Sequence, residues 1–358
     1  MRILVDAMCA EYGGIRTYVE QLLLGWAARY PEDEVHVVLR AGSTLATPGL
    51  VRHELAVRSP DVLGRPWAQA TSMHRLERRV EPDVVLATAP TTDVRRMNAP
   101  LAVVILDLRA EILPEQFSRA RRLLRWASYG RTYRLAAGFL SISQRSLDDL
   151  HRLHPETRDR PGVVTHLAAD HVLDWPTPTR DGPVIAFAHH TNKNPELLLD
   201  AWALLAAGGE APRLTFLGVS GELRPRLVQR IAERGLGDLV ELTPFLPEDE
   251  FRQRILAARM IAFPSAFEGF GIPIVEGMLL HKPVVIGPDP GSLETAGGHA
   301  VVATDWTPEA LVDALRRGLD LDEQSLEKAH QWARTYSWAT TIQTSRAALA
   351  ELAGVNGR

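Results

Sequence analysis

Apolar runs of strand length alternate with helical patterns along most of the chain. Near-continuous runs of Val, Ile and Leu indicate strands that are buried on both faces, as in a parallel sheet. Such runs occur at Arg2–Ala7, Val35–Arg40, Asp83–Ala87, Ala102–Leu106, Phe139–Ser143 and Val163–Leu167. Between them, apolar residues recur at helical spacing, as in the amphipathic segment Gly14–Tyr30. The alternation of strand and helix predicts a doubly wound α/β domain.

The alternation breaks at residues 168–182 and then starts again. The break contains Trp175-Pro176-Thr177-Pro178. Proline stiffens an extended connection, so the segment is predicted to be an interdomain linker. Further strand runs follow at Val184–Ala188, Arg213–Gly218, Val240–Phe245, Met260–Pro264, Pro283–Gly287 and His299–Ala303. The apolar pattern of the last part of the chain predicts helices at Pro308–Gly318, Glu323–Tyr336 and Trp338–Leu352.

The predicted fold class is therefore α/β, with two Rossmann-like doubly wound domains. Residues 1–167 form the first domain and residues 183–336 the second. Ligands of open α/β sheets bind beyond the carboxyl ends of the strands. We therefore expect a central cleft that the carboxyl edges of both sheets face.

The composition is that of an ordinary globular protein. Its 358 residues exceed what a single core usually supports, and its net charge of −4 gives no sign of a nucleic-acid partner. One cysteine, Cys9, excludes an internal disulfide and fits a reducing compartment. The apolar run at the N-terminus is too short for a signal peptide, and no stretch approaches the roughly 20 apolar residues of a membrane helix. A cytoplasmic protein is expected.

The most informative segment, Phe263–Met278, joins a buried strand to a helix. Gly269 and Gly271 let the backbone turn sharply and approach a ligand closely. Pro273 suits the first turn of a helix. Free backbone N–H groups around Phe270–Ile272 are therefore expected at the cleft, where the helix start favours phosphate.

Two glutamates, Glu268 and Glu276, flank this helix start at a spacing of eight residues. Glu276, placed in the first turn, can accept hydrogen bonds from the vicinal hydroxyls of a ribose. Glu268, one loop earlier, can reach the hydroxyls of a sugar beyond the phosphates. The alternative is that Glu276 only complements the helix dipole and that Glu268 is solvated.

Here the chain resembles the family 4 glycosyltransferases, which have the two-Rossmann-domain glycosyltransferase B architecture. Their hallmark is a pair of glutamates separated by seven residues in an "EGFG-P-xxE" context, which Glu268 and Glu276 match. Three later segments also look like the family: Lys282–Ile286, Gly291–Gly297 and Tyr336–Trp338. The resemblance implies retaining transfer of a hexose or deoxyhexose from a nucleoside-diphosphate sugar. It also implies that the last helix, within residues 337–358, packs back on the first domain.

Two further loops resemble donor-binding loops of the family. Gly13 and Gly14, followed by Arg16, open the first helix, where the backbone can approach a diphosphate or sugar or simply cap the helix. His190 and Lys193 lie in the loop after the strand that opens the second domain. Lys193 can reach a diphosphate as a flexible point charge. The alternative interpretation of Lys193 is a surface lysine near a helix start. The alternative interpretation of His190 is a structural or exposed histidine.

The chain departs from the family pattern at two positions, where Leu106 replaces a histidine and Ala188 an arginine. Asp107 remains and can hydrogen-bond the acceptor or the donor sugar, or cap the loop after its strand. Phe245 stands where relatives receive the nucleobase, and its alternative is a place in the core. No metal-binding motif is visible, so neither a metal nor another cofactor is expected.

The acceptor is open from the sequence: a saccharide, a lipid-linked molecule or a natural product. The basic run Arg119–Arg134 can contact an anionic membrane surface peripherally, or it can be a solvated helix face. The basic stretch Met73–Arg79 is expected to be disordered or to face the acceptor. Two other functions remain open: a non-catalytic nucleotide-sugar-binding subunit of a transferase complex, and a nucleotide-sugar epimerase.

Overall fold

A computed structural model of the chain describes residues 1–11, 13–57, 61–92 and 96–355. It contains two compact units. One unit combines Met1–Leu167 with Trp338–Arg358, and the other is Ala168–Ser337. No helix among the described residues is long and apolar enough to cross a membrane.

The first unit is built on a seven-stranded parallel sheet. Its strands are β1 Arg2–Asp6, β2 Glu34–Arg40, β3 Val51–Leu55, β4 Val84–Ala87, β5 Leu101–Ile105, β6 Gly138–Ser141 and β7 Gly162–Val164. The connecting helices are α1 Gly13–Arg29, α2 Asp61–Val80, α3 Arg109–Ile112, α4 Arg119–Leu135 and α5 Gln144–Leu153. The spatial order β3-β2-β1-β4-β5-β6-β7 changes direction between β1 and β4. Every residue of β4, β5 and β6 is buried, which explains their uninterrupted apolar sequences.

The second unit is built on a six-stranded parallel sheet. Its strands are β8 Val184–Phe187, β9 Leu214–Leu217, β10 Val240–Leu242, β11 Met260–Phe263, β12 Val284–Ile286 and β13 Val301–Val302. Its helices are α6 Pro195–Ala207, α7 Leu223–Glu233, α8 Glu248–Ala257, α9 Ile272–Leu279, α10 Pro290–Ala296, α11 Pro308–Leu319 and α12 Glu323–Ala333. The order β10-β9-β8-β11-β12-β13 changes direction between β8 and β11. The last helix, α13 Trp338–Leu352, is part of the first unit.

Three segments differ from the sequence-based expectations. The edge strand β3 was not predicted, because most of its side chains are exposed and it has no apolar run. Residues Met73–Arg79 lie in α2, where Met73 is fully buried, so the expectation of disorder was wrong. Residues 168–182, predicted as a linker, are grouped with the second unit, and a 3₁₀ helix at Asp170–Asp174 packs there against α9.

A buried carboxylate, Asp33, ties α13 to the start of β2. Asp33 accepts a hydrogen bond of 3.0 Å from the indole of Trp26 and one of 2.7 Å from the guanidinium of Arg346. The amino group of Met1 also donates to it, at 3.0 Å. Burial alone would raise the pKa of Asp33, but these donors outweigh it and hold the pKa below its usual value.

Replacing Asp33 by asparagine is therefore expected to lower the free energy of unfolding by about 2 kcal/mol at neutral pH, because the guanidinium of Arg346 and the amino group of Met1 lose their buried charged partner. A carboxylate with a lowered folded pKa stabilises above its unfolded pKa of about 4, and this stabilisation is lost as pH falls through the folded pKa. Urea unfolding from pH 7 to pH 3 should show the two proteins converging at low pH. The matched control, Glu32→Gln, removes an exposed partner of Arg346 and should change stability by less than about 0.5 kcal/mol.

Candidate functional site

The candidate site lies in the second unit, where the sheet order changes direction. Strands β8 and β11 are neighbours there, with Met260 opposite Val184, and both run in the same direction. The loop after β8 leads to α6 and the loop after β11 leads to α9. The two loops therefore emerge side by side beyond the carboxyl ends of the strands, where open α/β sheets bind their ligands.

The loop after β11 makes a turn that requires glycine. Gly271, the residue before α9, has φ +97°, and a Cβ on it would stand 3.0 Å from Ile274 Cδ1 and 3.3 Å from Phe263 Cε1. No described residue accepts a hydrogen bond from the backbone N–H of Gly269, Gly271 or Ile272. These N–H groups belong to buried residues, and such groups are almost always paired. Their arrangement at a helix start suits an anionic ligand.

An ion pair joins the two loops. The ammonium of Lys193 lies 2.5 Å from Glu268 Oε1, and the two side chains are only 8% and 12% exposed. The same ammonium lies 4.4 Å from the ring centre of Phe263, a cation–π contact. The sequence predicted a diphosphate partner for Lys193 and a sugar partner for Glu268. The structure brings these two side chains together and shows that each is the other's partner in the free protein.

Hydrogen bonds to the backbone hold the two loops in place. Asn192 is buried in the 3₁₀ turn that carries Lys193. Its side-chain amide donates to the backbone carbonyl of Phe267 at 2.9 Å, and its backbone carbonyl accepts from the N–H of Ala266 at 2.7 Å. The backbone N–H of Glu268 donates to the buried carboxylate of Asp289 at 3.2 Å. Asp289 caps α10 at the same time. Glu268 thus projects from a loop that is fixed on both sides, which favours a defined side-chain position.

Glu276 lies deeper in α9 than the sequence suggested. The helix begins at Ile272, which puts Glu276 in the second turn, so its predicted place in the first turn was wrong. The helix dipole acts mainly on the first turn, so complementing it explains little about this residue. Glu276 is buried, and its Oε1 lies 3.6 Å from Nε2 of His171. The imidazole of His171 makes an edge contact with Trp175.

Sequence reasoning missed His171. It lies in the segment predicted as a linker, about a hundred residues before the glutamate it meets. No spacing rule connects the two positions. The proline-rich stretch that follows His171 predicts an extended connection, and only tertiary packing returns the 3₁₀ helix to α9.

Three aromatic rings lie close together in the loops that follow β8 and β10. The ring of His190 is 5.0 Å from that of His189, which in turn lies 6.4 Å from the ring of Phe245. Phe245 is 60% exposed, so its alternative place in the core was wrong. Its exposed ring is available for stacking against a planar group.

These loops form part of a region that other proteins share. Residues 180–335 match the family model for glycosyl transferases group 1. The matched region contains Lys193, Glu268 and Glu276.

Two curated relatives from Streptomyces kanamyceticus are similar to the chain. One is an alpha-D-kanosaminyltransferase, 27% identical over 225 residues, which are 58% of this chain and 58% of the relative. The other is a 2-deoxystreptamine glucosyltransferase, 33% identical over 278 residues, which are 75% of this chain and 63% of the relative. The chain thus spans less than two thirds of the length of either relative.

A solved structure shares the fold over nearly the whole chain. HepE from Anabaena, crystallised with UDP-glucose, gives a TM-score of 0.76 at 19% identity and covers 98% of this chain and 100% of its own. Together with the two parallel sheets, this likeness confirms the predicted class of two Rossmann-like doubly wound α/β domains. The predicted central cleft between them stays a prediction.

The region that matches glycosyl transferases group 1 does not include the first unit, which holds the predicted site residues Gly13, Gly14, Arg16 and Asp107. Helix α1 begins at Gly13, which has φ +67°, and Gly14 follows it in the exposed first turn. Tyr12, which precedes them, lies outside the described residues. Arg16 donates to the hydroxyl of Thr44 at 3.1 Å. A donor-binding role for these residues remains a prediction.

Asp107 lies in the first unit just after β5. Its side chain is exposed, and its Oδ1 accepts from the backbone N–H of Arg109 at 2.9 Å, which stabilises the turn into α3. This is the loop-capping contact expected as its alternative. The opposite oxygen of the carboxylate leaves room for a second hydrogen bond, so the sugar-binding role stays a prediction.

No three His, Cys, Asp or Glu side chains are arranged to hold a metal ion within the described ranges. Asp320 and Asp322, whose spacing resembles a metal-binding pair, lie between two helices: Asp320 ends α11, and Asp322 precedes α12. Asp322 caps that helix by accepting from Ser325 N at 2.7 Å. Its side chain thus has a structural role.

Proposed function

We propose that the chain is a retaining glycosyltransferase that moves a hexose or deoxyhexose from a nucleoside-diphosphate sugar to an acceptor. The single observation that carries the proposal is the buried Lys193–Glu268 pair beside the turn whose N–H groups have no acceptor among the described residues, with Glu276 one turn further along α9. The match to glycosyl transferases group 1 and the transferase names of the two relatives support it. HepE, whose structure contains UDP-glucose, supports a nucleotide-sugar donor.

Each part of this arrangement has a place in the proposed chemistry. The N–H groups of Gly271 and Ile272 bind the diphosphate, and Lys193 offsets the charge that develops as it leaves. Glu276 accepts hydrogen bonds from the ribose hydroxyls. Glu268 holds the hydroxyls of the transferred sugar, and it gives up its bond to Lys193 when the diphosphate arrives.

The bound diphosphate competes with Glu268 for the ammonium of Lys193, since both are anionic. The exchange costs little, because Lys193 trades one charged partner for another without returning to water. It also frees Glu268 at the moment when the donor sugar is in place. The ion pair therefore keeps both side chains ordered in the free protein and releases them together.

The acceptor we propose is a saccharide, a lipid-linked molecule or a natural product. The 2-deoxystreptamine glucosyltransferase, by its name, uses a small polyhydroxylated ring, which favours a small-molecule acceptor here too. Peripheral membrane contact through α4 is proposed for a lipid-linked acceptor only. Its support is the pair of exposed apolar residues Leu123 and Trp126 on an arginine-rich helix.

The test is turnover with defined donors. The protein is first screened with UDP-, GDP- and dTDP-sugars for a rise in melting temperature, because a ligand of the folded state stabilises it. The donor that binds is then incubated with and without an acceptor panel. Sugar transfer with retained anomeric configuration supports the proposal. Epimerised donor without acceptor would replace it with the epimerase, and saturable binding without any turnover would replace it with the non-catalytic subunit.

Transfer is expected to be independent of divalent metal, because Lys193 and the helix start supply the positive charge for the leaving diphosphate. Activity after treatment with excess EDTA and gel filtration should stay within about twofold of the untreated enzyme. Loss of activity that magnesium or manganese restores would contradict the metal-free assignment.

A further inference from the structure

The sheet of the first unit also has a point where its order changes direction, between β1 and β4. Asp6, the last residue of β1, lies opposite Ala87, the last residue of β4. A buried group of polar side chains collects at the carboxyl ends of these two strands. Nothing in the candidate donor site uses it, and open α/β sheets bind ligands at such points.

Gln69 is the centre of this group. Its amide nitrogen donates to Asp6 Oδ2 and to the carbonyl oxygen of Thr91, both at 2.7 Å. A carbonyl can only accept, so the NH₂ of Gln69 must face Thr91, and its oxygen must point elsewhere. That oxygen is buried and has no partner among the described residues. An unpaired buried amide oxygen costs about 1–3 kcal/mol.

Two further unpaired groups lie beside Gln69. Thr91 is only 7% exposed, and its buried hydroxyl has no partner in the described part of the chain. Arg65, one helical turn before Gln69 on α2, has a buried Nε–H that is likewise unpaired there. The guanidinium of Arg65 interacts electrostatically with Asp6, so the two charges offset each other.

Around Gln69, the described residues thus leave an acceptor, a hydroxyl and an N–H donor unpaired, beside the oppositely charged side chains of Asp6 and Arg65. Neighbouring hydroxyls of a sugar or cyclitol ring each donate and accept, and they satisfy all three groups without adding charge. A charged ligand would leave one charge uncompensated in a buried place.

We propose that Gln69, Thr91 and Arg65 bind the vicinal hydroxyls of a neutral polyol ring at the β1–β4 switch point. The inference rests on the proposed function, because this polyol is then the acceptor, and the three residues determine which acceptor is used. Its ligand and its residues are separate from the donor groups of the second unit, so the two claims can fail independently.

Thr91→Val tests this proposal cleanly. Valine has nearly the shape of threonine, and the hydroxyl it removes has no partner among the described residues, so the melting temperature should stay constant or rise. Thr88→Val is the matched control at the same strand end. The hydroxyl of Thr88 donates to the backbone carbonyl of Asp6 at 2.7 Å, so its loss should lower the melting temperature and leave polyol binding unchanged.

The readout is a saturation-transfer NMR titration with myo-inositol, D-glucose and D-mannose, with and without the nucleoside diphosphate that binds. At least one polyol should bind the wild-type protein, and Thr91→Val should weaken it about tenfold, the loss of roughly one hydrogen bond. Equal binding by Thr91→Val, or no binding of any of the three polyols to the wild type, overturns the inference. The affinity of Thr91→Val for the nucleoside diphosphate should equal that of the wild type. If the wild-type protein bound no nucleoside diphosphate at all, the proposed function would be refuted instead.

Discussion

Replacing Glu276 by alanine is expected to weaken binding of the free nucleoside diphosphate by about 10- to 100-fold. A carboxylate that accepts two hydrogen bonds from ribose hydroxyls contributes about 1.5–3 kcal/mol, and each 1.4 kcal/mol is a factor of ten. Isothermal titration with the diphosphate alone measures this directly, without a need for the sugar or the acceptor. The effect belongs to binding, so it should appear in the dissociation constant before any turnover is examined.

Two controls separate the ribose role from a structural one. Glu248→Ala removes a carboxylate of the same unit that is 84% exposed, and it should leave the affinity unchanged. His171→Asn removes the neighbour of Glu276 but keeps the carboxylate, so it should weaken binding far less than Glu276→Ala. If Glu276→Ala binds the diphosphate as tightly as the wild type while keeping its melting temperature, the ribose role is wrong.

Replacing Glu268 by glutamine is expected to lower kcat by about 100-fold or more, the cost typical of losing a charged group that acts on the transition state. The affinity for the free diphosphate should stay the same or increase. The reason is the ion pair: glutamine keeps the shape of the side chain but releases Lys193 from its anionic partner. Single-turnover kinetics and titration on the same preparation would show this separation of turnover from binding.

Glu248→Gln is the matched control for this second prediction, with an exposed carboxylate in the same unit. A parallel loss of kcat and diphosphate affinity in Glu268→Gln would mean that Glu268 organises the loop rather than the sugar. Unchanged kcat would remove it from the reaction altogether.

The strand–turn–helix around Glu268 was predictable because its elements carry local signals. The apolar run of β11, the glycine at a positive φ and the proline in the first turn of α9 each restrict the backbone within a few residues. Both strands beside the site were recognisable as well, since they are buried on both faces. That β8 and β11 are neighbours follows from the topology of doubly wound sheets.

The details of the site depended on contacts that local patterns do not encode. The Lys193–Glu268 pair joins residues 75 positions apart, and the sequence gives no indication that they satisfy each other before a ligand binds. Glu276 was placed in the first turn, but it is the fifth residue of α9 and therefore falls in the second turn. Phe245 looked like core because an aromatic residue in a short apolar run usually is, yet it lies beyond the end of β10 with its ring exposed.

One arginine-rich stretch of the first unit was wrongly expected to be disordered. Met73–Arg79 carries so much charge that it suggested disorder, but Met73 and Leu76 are buried on one face of α2 while the arginines lie elsewhere on the helix. Gln69, on the same helix, had no motif to mark it. Its importance comes from the two acceptors that fix its amide, and one of these, Asp6, is 63 residues away.

The measurement that tests the central claim most directly is a crystal structure of the protein with a bound nucleoside diphosphate. We expect phosphate oxygens within about 3 Å of the N–H groups of Gly271 and Ile272. The ribose hydroxyls should contact Glu276, and Lys193 should have turned from Glu268 to the diphosphate. A nucleotide bound elsewhere, with the Lys193–Glu268 pair intact and Glu276 without a ribose, would contradict the account.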